Sequence, residues 1–460
     1  MNRFRGGVLV ACIAILCTLL LPNSPAAADE WPTDIQFVSC DACSPEPTAA
    51  ASEGGYCPSA ARADGYWVDC PMATELSVRM NAMAKTMESQ GFIYAPGLSQ
   101  FYQGVAGGGA EQEFEYGGKV DQFVIADSGK LGLWQGFTMT MHAETRFGDD
   151  VNREAVGFAP VNVAMLYPNA DEHDTAITGL SFAQAIDENV QATFGKFNAL
   201  DLFYSLYPET GRGVNGFMNA SMVIPVSVAR VAPLSFLGAG ALAYEGKLPQ
   251  SGILVYDTHD CATTSGFDEL FDNGANILGF WRFFTDVNGL PGSQLFGGIW
   301  STGEFVAFEP TEFVIVPDDG LVAPRQRGAY TLLYILEQTL WMDACNTNRN
   351  VVLLSQWGLA EPETSPIGWS ANVGLQARGL NNARPHDSMG IGYFHTGISE
   401  NLQDLLRPLH DLHDVDGVEM YYTMAVTPGF QLTTDFQVIE PADSRNDTAL
   451  VCGLRGTIGF

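Results

Sequence analysis

The residues with the clearest capacity for chemistry lie at every second position of one segment. His142, Glu144 and Arg146 alternate with residues 143 and 145, so all three share one face of an extended strand. An imidazole, a carboxylate and a guanidinium on one wall can move protons, hold an ion or set a field across a passage. Charged and amide groups of the same kind recur downstream at Arg212, Arg282, Glu337, Asn372, Gln376, Arg378, Asp435 and Gln437. Nucleophilic and phosphate-binding patterns are not found: there is no G-x-S-x-G, no H-E-x-x-H and no Gly-rich loop between a strand and a helix. Gly107-Gly108-Gly109 reads as a loop. His410 and His413 lie in the acidic stretch 404–416, which reads as a solvated helical loop, with a metal site as the alternative. The expectation is therefore no catalytic residue, no cofactor and no metal.

Those side chains sit in a chain with a marked charge imbalance. Arg3 and Arg5, the apolar run 8–21 and Ala26-Ala27-Ala28 have the layout of a secretory signal peptide over residues 1–28. That segment has two arginines and no acid, so residues 29–460 hold 20 basic and 53 acidic residues, a net charge of −33. Such a surplus excludes a nucleic-acid partner, whose phosphates need a basic face, and a peripheral hold on anionic lipid. No apolar run of helical spanning length follows the signal; residues 221–244 come nearest but are broken by Pro225, Arg230 and Pro233. In an exported chain, Cys40, Cys43, Cys57 and Cys70 read as two disulfides with three open connectivities, or as a four-thiolate zinc site. Cys452 lies in a strand pattern and packs as a small apolar residue.

The elements that must position these groups are strands. Residues 29–71 form a leader rich in Ala, Ser, Pro and Gly. Residues 72–90 have helical spacing, with Leu76, Met80, Met83 and Met87 near one face, and from residue 91 the period is two. At the end of the chain Leu450, Cys452, Leu454, Gly456, Ile458 and Phe460 alternate with Val451, Gly453, Arg455, Thr457 and Gly459. Val418, Met420, Tyr422, Met424 and Val426 alternate with Glu419, Tyr421 and Thr423. A turn at Pro428-Gly429 leads to a return strand with Asp435 and Gln437 on its polar face. Trp369, Ala371, Val373, Leu375 and Ala377 alternate with Ser370, Asn372, Gln376 and Arg378. Weaker strands begin near residues 113, 190, 221, 237, 251, 275, 294, 329 and 351. Dividing 91–460 among sixteen strands leaves room for spans of roughly ten residues.

Alternation alone does not separate a soluble sandwich from a membrane barrel. Long strands, aromatics at strand ends (Trp369, Tyr422, Phe430, Phe460) and unequal connections favour an all-β transmembrane antiparallel barrel of about sixteen strands with a short N-terminal helix. Counted back from a periplasmic terminus, loops 443–447, 399–416 and 304–326 fall outside and Pro428-Gly429 falls inside. This places Cys261 outside and Cys345 in the periplasm, unbonded to each other.

The chain also resembles the carbohydrate-selective porins of the OprB type. The resemblance runs from about residue 84 to 460 in ordered stretches: 131–136 (Leu-Gly-Leu-Trp-Gln-Gly), 146–149 (Arg-Phe-Gly-Asp), 194–198 (Phe-Gly-Lys-Phe-Asn) with Asp201, 211–219, 255–257 with His259 and Asp260, 389–397, 417–422, 425–428, 435–441 and 447–451. It implies a sixteen-stranded barrel in a Gram-negative-type outer membrane, reached by Sec-type export. It also implies passive, sugar-preferring diffusion through a monomer or homotrimer. The cysteine-bearing leader and Cys261 depart from the family's pattern.

For such a channel the sequence assigns His142, Glu144, Arg146, Arg282, Glu337, Asn372, Gln376, Arg378, Asp435 and Gln437 to the lumen. Arg212, Asn215 and Asn219 go to a loop folded into the pore or to a glycine-rich turn. Hydroxyl-bearing solutes want donors, acceptors and rings to stack on. Glu144 and Arg146 would set a transverse field, or only brace the wall. Competing readings are a cation-leaning general porin, a non-conducting surface-binding barrel protein and a barrel enzyme.

Overall fold

The computed structural model describes residues 65–460, apart from 69, 156, 167, 169–174, 209–210, 310–313, 317–319, 410 and 460. Residues 67 and 68 pair with the end of a barrel strand, Trp67 N donating to Ala425 O at 3.1 Å and Val68 N to Val426 O at 2.9 Å. Helix α1 (Pro71–Ser89) follows, with proline at its start where a backbone donor is not needed. Gly91, at φ +89°, turns the chain into the first strand.

Sixteen strands close an antiparallel barrel. They are β1 (Phe92–Gly109), β2 (Phe114–Asp127), β3 (Phe137–Gly148), β4 (Thr175–Ala185), β5 (Val190–Asn198), β6 (Ser235–Glu245), β7 (Leu248–Asp257), β8 (Ala275–Val287) and β9 (Leu290–Val306), then β12 (Arg325–Met342), β13 (Asn350–Ala360), β14 (Ile367–Arg378), β15 (Ser388–Ile398), β16 (Val415–Thr427), β17 (Phe430–Glu440) and β18 (Asp447–Gly459). A small hairpin, β10 (Val314–Val316) and β11 (Gly320–Val322), stands apart in the connection between β9 and β12. Pairing of β1 with β18 removes the last open edge.

The connections divide by length. At one end the chain turns at 246–247, 288–289 and 428–429; Asn288 and Gly289 both have positive φ, as a two-residue hairpin turn of matching twist requires. At the other end lie the long segments 149–174, 199–234, 258–274, 307–324 and 399–414. Cys261, buried and free, belongs to the long-loop end, and Cys345 to the opposite turn.

The two faces of each strand differ as a lipid-embedded barrel demands. On β14 Trp369 and Val373 are 41% and 46% exposed, while Asn372 and Gln376 are 5% and 2% exposed. On this strand apolar side chains point out and polar ones point in, the reverse of a soluble core. Trp300, Tyr330, Trp357 and Trp369 stand outward near the loop end, and Tyr94, Phe283 and Trp341 near the turn end. No helix among the described residues is long and apolar enough to cross a membrane.

The apolar core lies inside the barrel, where residues 157–166 and 211–231 fold inward. Val161, Val163, Phe217, Met222 and Val223 pack against Leu354, Phe394, Tyr421 and Ile439 on the inner wall. Gly392 makes room for them: a Cβ at this position would overlap the Met222 thioether.

Three expectations are corrected. The strand expected from residue 221 is instead a helical turn, Ala220–Val223, capped by the Asn219 side chain on Ser221 N at 2.9 Å and ended before Pro225. Gly107–Gly109 is not a loop but the end of β1, where bulges at 105/107 and 107/109 absorb extra residues and Gly108 and Gly109 take positive φ. Cys70 is a free thiol at the N-cap of α1, so Cys40, Cys43, Cys57 and Cys70 do not form two disulfides among themselves. Cys40, Cys43 and Cys57 lie outside the described residues.

Candidate functional site, a narrowed channel

Segment 199–234 carries the narrowing elements. It opens with helix α2 (Ala199–Leu206), which starts as β5 ends because Asn198 caps it, its Oδ1 accepting from Leu200 N at 3.0 Å and Asp201 N at 3.3 Å. The same side chain donates to Glu144 Oε2 at 3.0 Å, so one asparagine fixes the helix to the wall.

On one side of α2 stands a group from β2 and β3. Lys119 Nζ lies 2.6 Å from Glu144 Oε1 and 3.0 Å from Asp121 Oδ1. His142 Nε2 is 3.0 Å from Asp121 Oδ1, and its Nδ1 is 2.7 Å from Asp201 Oδ2 on α2. Asp121, His142 and Glu144 present donor atoms within 4.8 Å of one another, the one such cluster among the described residues that could hold a metal. The Lys119 ammonium already sits against two of them.

A second group forms where the segment meets β8 and β12. Arg212 Nη1 donates to Glu337 Oε1 at 2.7 Å, and Arg282 Nη2 donates to Leu206 O at 2.6 Å. Both guanidinium groups lie on the Tyr207 ring, 4.9 and 4.7 Å from its centroid. Tyr204, on α2 between the groups, is within electrostatic reach of Lys119, Asp201 and Arg212.

The remaining polar wall grips the segment from β14 to β18. Gln376 Oε1 accepts from Gly211 N at 2.8 Å, and Asn372 Nδ2 donates to Ser221 O at 2.6 Å. The Glu419 carboxylate accepts from the backbone of Met218 and Asn219. Gln437 donates to Val161 O at 2.9 Å and accepts from Asn219 Nδ2 at 3.0 Å. Arg455 Nη2 donates to Gly216 O at 2.9 Å, near Asp435 and Glu419. Asp435 accepts from Gln437 Nε2 at 2.9 Å.

The assigned residues thus fall into three sets. His142 and Glu144 join the Lys119 group; Arg212, Arg282 and Glu337 form the Tyr207 group; Asn372, Gln376, Asp435 and Gln437 hold the inserted segment or its neighbours. Arg378 is half-buried within electrostatic reach of Tyr421. Glu144 and Arg146 are not partners of one another: Glu144 turns to Lys119, and Arg146 pairs with Asp150 just beyond β3. Lys119, Asp121, Asp201, Tyr207, Glu419 and Arg455 escaped the sequence assignment. Glu419 and Arg455 were visible on polar strand faces, and Asp201 in a family stretch. Nothing local marks Tyr207.

A closed barrel, apolar outside and polar inside, narrowed by its own inward-folded segment, defines a membrane channel of the porin class. Residues 111–460 match the model of the carbohydrate-selective porin, OprB family. The chain belongs to that family and is an outer-membrane porin, a channel with a carbohydrate preference. A high-pH structure of Pseudomonas putida OprB superposes with a TM-score of 0.68 at 17% identity, covering 83% of this chain and 97% of that one. The low-pH structure of the same protein gives 0.50 at 14% identity, over 83% and 96%. No curated protein matches the chain in sequence.

Proposed function

We propose that neutral sugars diffuse passively along the polar side of α2, past Tyr204, between the Lys119 and Tyr207 groups. Glu337 lines this path, with His142, Glu144, Arg212 and Arg282 buried in the wall behind it, Arg146, Arg378 and Asp435 on the wall beyond it and Asn372, Gln376 and Gln437 holding the segment that narrows it. The observation that carries this reading is the pairing of charge. Lys119 faces two carboxylates, Arg212 a third, and Arg282 and Arg455 main-chain carbonyls. The narrow zone therefore presents alternating donors and acceptors rather than the chain's overall negative charge. Hydroxyl groups, which both donate and accept, suit that surface better than a single ion type does.

In this reading residues 1–28 direct Sec-type export and are removed. The leader 29–71 and the helix from 72 to 90 precede a barrel domain, 91–460, that meets outer-membrane lipid as a monomer or homotrimer.

The test is single-channel current through the refolded mature protein in a planar bilayer, with glucose and then maltose added to the bath. Saturable block by sugar with weak ion selectivity supports the path. Steps indifferent to sugar but selective for potassium would replace it with a general cation-leaning porin.

A further inference from the structure

Behind α2, on the side away from the Lys119 group, the inner wall changes character. Leu254, Leu278, Phe280, Leu295 and Ile335 face inward from β7, β8, β9 and β12 where a water-filled lumen would call for polar groups. Leu202, Phe203 and Leu206 of α2 turn toward them, and Val228 and Ala232 close in from the segment that follows. The packing is incomplete, leaving a cavity of about 140 Å³ between helix and wall.

Water has little to hold it there. Three lining side chains carry a polar atom, and each hydroxyl already donates: Thr193 to Phe182 O at 3.2 Å, Ser205 to Leu202 O at 2.7 Å and Tyr256 to Val231 O at 2.8 Å. A trapped water needs roughly two to four polar partners, and dry apolar cavities of about 150 Å³ take up benzene or xenon. Filling such a space restores dispersion contacts that its lining otherwise lacks.

We propose that this cavity binds a small apolar molecule, of the size of benzene, and that its occupancy sets the position of α2 in the channel. The cavity floor is the helix that carries Asp201 to His142, and Leu206 O, at the far end of the helix, receives Arg282. A guest pressing on Leu202 and Phe203 moves those contacts together. Binding is independent of the sugar path; its effect on transport rests on that path.

Two measurements separate these parts. Xenon-pressurised crystals of the mature protein should show a xenon atom between Leu202 and Leu254. In bilayers, a low concentration of benzene should shift the half-blocking glucose concentration at least twofold, saturably. The Val228→Phe variant, with its cavity filled, should show neither xenon nor shift, and Ala232→Leu serves if Val228→Phe does not fold. Absence of xenon from the cavity overturns the site. Xenon in place with no benzene shift, or an equal shift in the filled variant, overturns the coupling to α2. A failed channel reading would show as missing sugar block without benzene, and leaves the xenon result standing.

Discussion

Arg212 on the inserted segment donates to Glu337 on β12 at 2.7 Å, joining residues 125 apart in sequence. The Arg212 side chain is fully covered, so its partner cannot be replaced by water without rearrangement. Breaking a buried ion pair from one side typically costs roughly 3–5 kcal/mol. Glu337→Ala should free the segment locally. Conductance should rise and sugar block weaken several-fold while the barrel keeps its heat-modifiable gel mobility; unchanged block would show that the pair does not set the narrowing.

Lys119 sits between Asp121 and Glu144, and neutralising it leaves two acids facing the path. Lys119→Met should raise the potassium-over-chloride permeability ratio several-fold, read as a reversal potential in a salt gradient. The shift should shrink at high salt, because mobile ions in the lumen screen the two acids from a permeating ion.

Gly392 allows Met222 and Phe217 to lie against β15. Gly392→Val should leave the strands paired but push the segment from its seat, since overpacking typically costs about 1–3 kcal/mol. Protease cleavage within 199–234 should become faster than in the wild type, with the barrel fragment still resistant.

At the turn end, the Tyr66 ring stacks on His386 at 4.8 Å between centroids, and Trp67 Nε1 donates to Asp387 Oδ2 at 2.9 Å. Burial pushes His386 below the ordinary histidine value, although Asp387 pulls the other way. The docked state thus favours the neutral ring. Its contribution is complete above about pH 6.5 and is lost as pH falls through the depressed value. The protection factors of the Trp67 and Val68 amides, taken relative to intrinsic exchange at each pH, should fall between pH 7.5 and 5, and His386→Phe should remove most of that dependence.

How much of this was legible beforehand depends on distance along the chain. The alternation of Trp369 and Val373 with Asn372 and Gln376 is a property of neighbours, so strand, facing and turn were readable from residue order. The tight turn at Pro428-Gly429 and the helix beginning one residue from its expected start belong to the same class. The stretch from residue 221 misled because apolar content marks burial without saying in what form, whereas the strand expected near 237 is β6. Val223 is buried inside the barrel, on a turn that Asn219 caps.

The sequence by itself determined a lipid-facing barrel and its polar lumen, because period-two alternation and turn chemistry act between adjacent residues. Tertiary structure alone decided which polar residues meet. Glu144 takes Lys119 rather than Arg146, and Gln376, Asn372 and Glu419 grip a segment some 150 to 200 residues away. Barrel closure brings distant strands around one inserted helix, and the partner of a lumen charge is set by that enclosure, not by its neighbours in the chain.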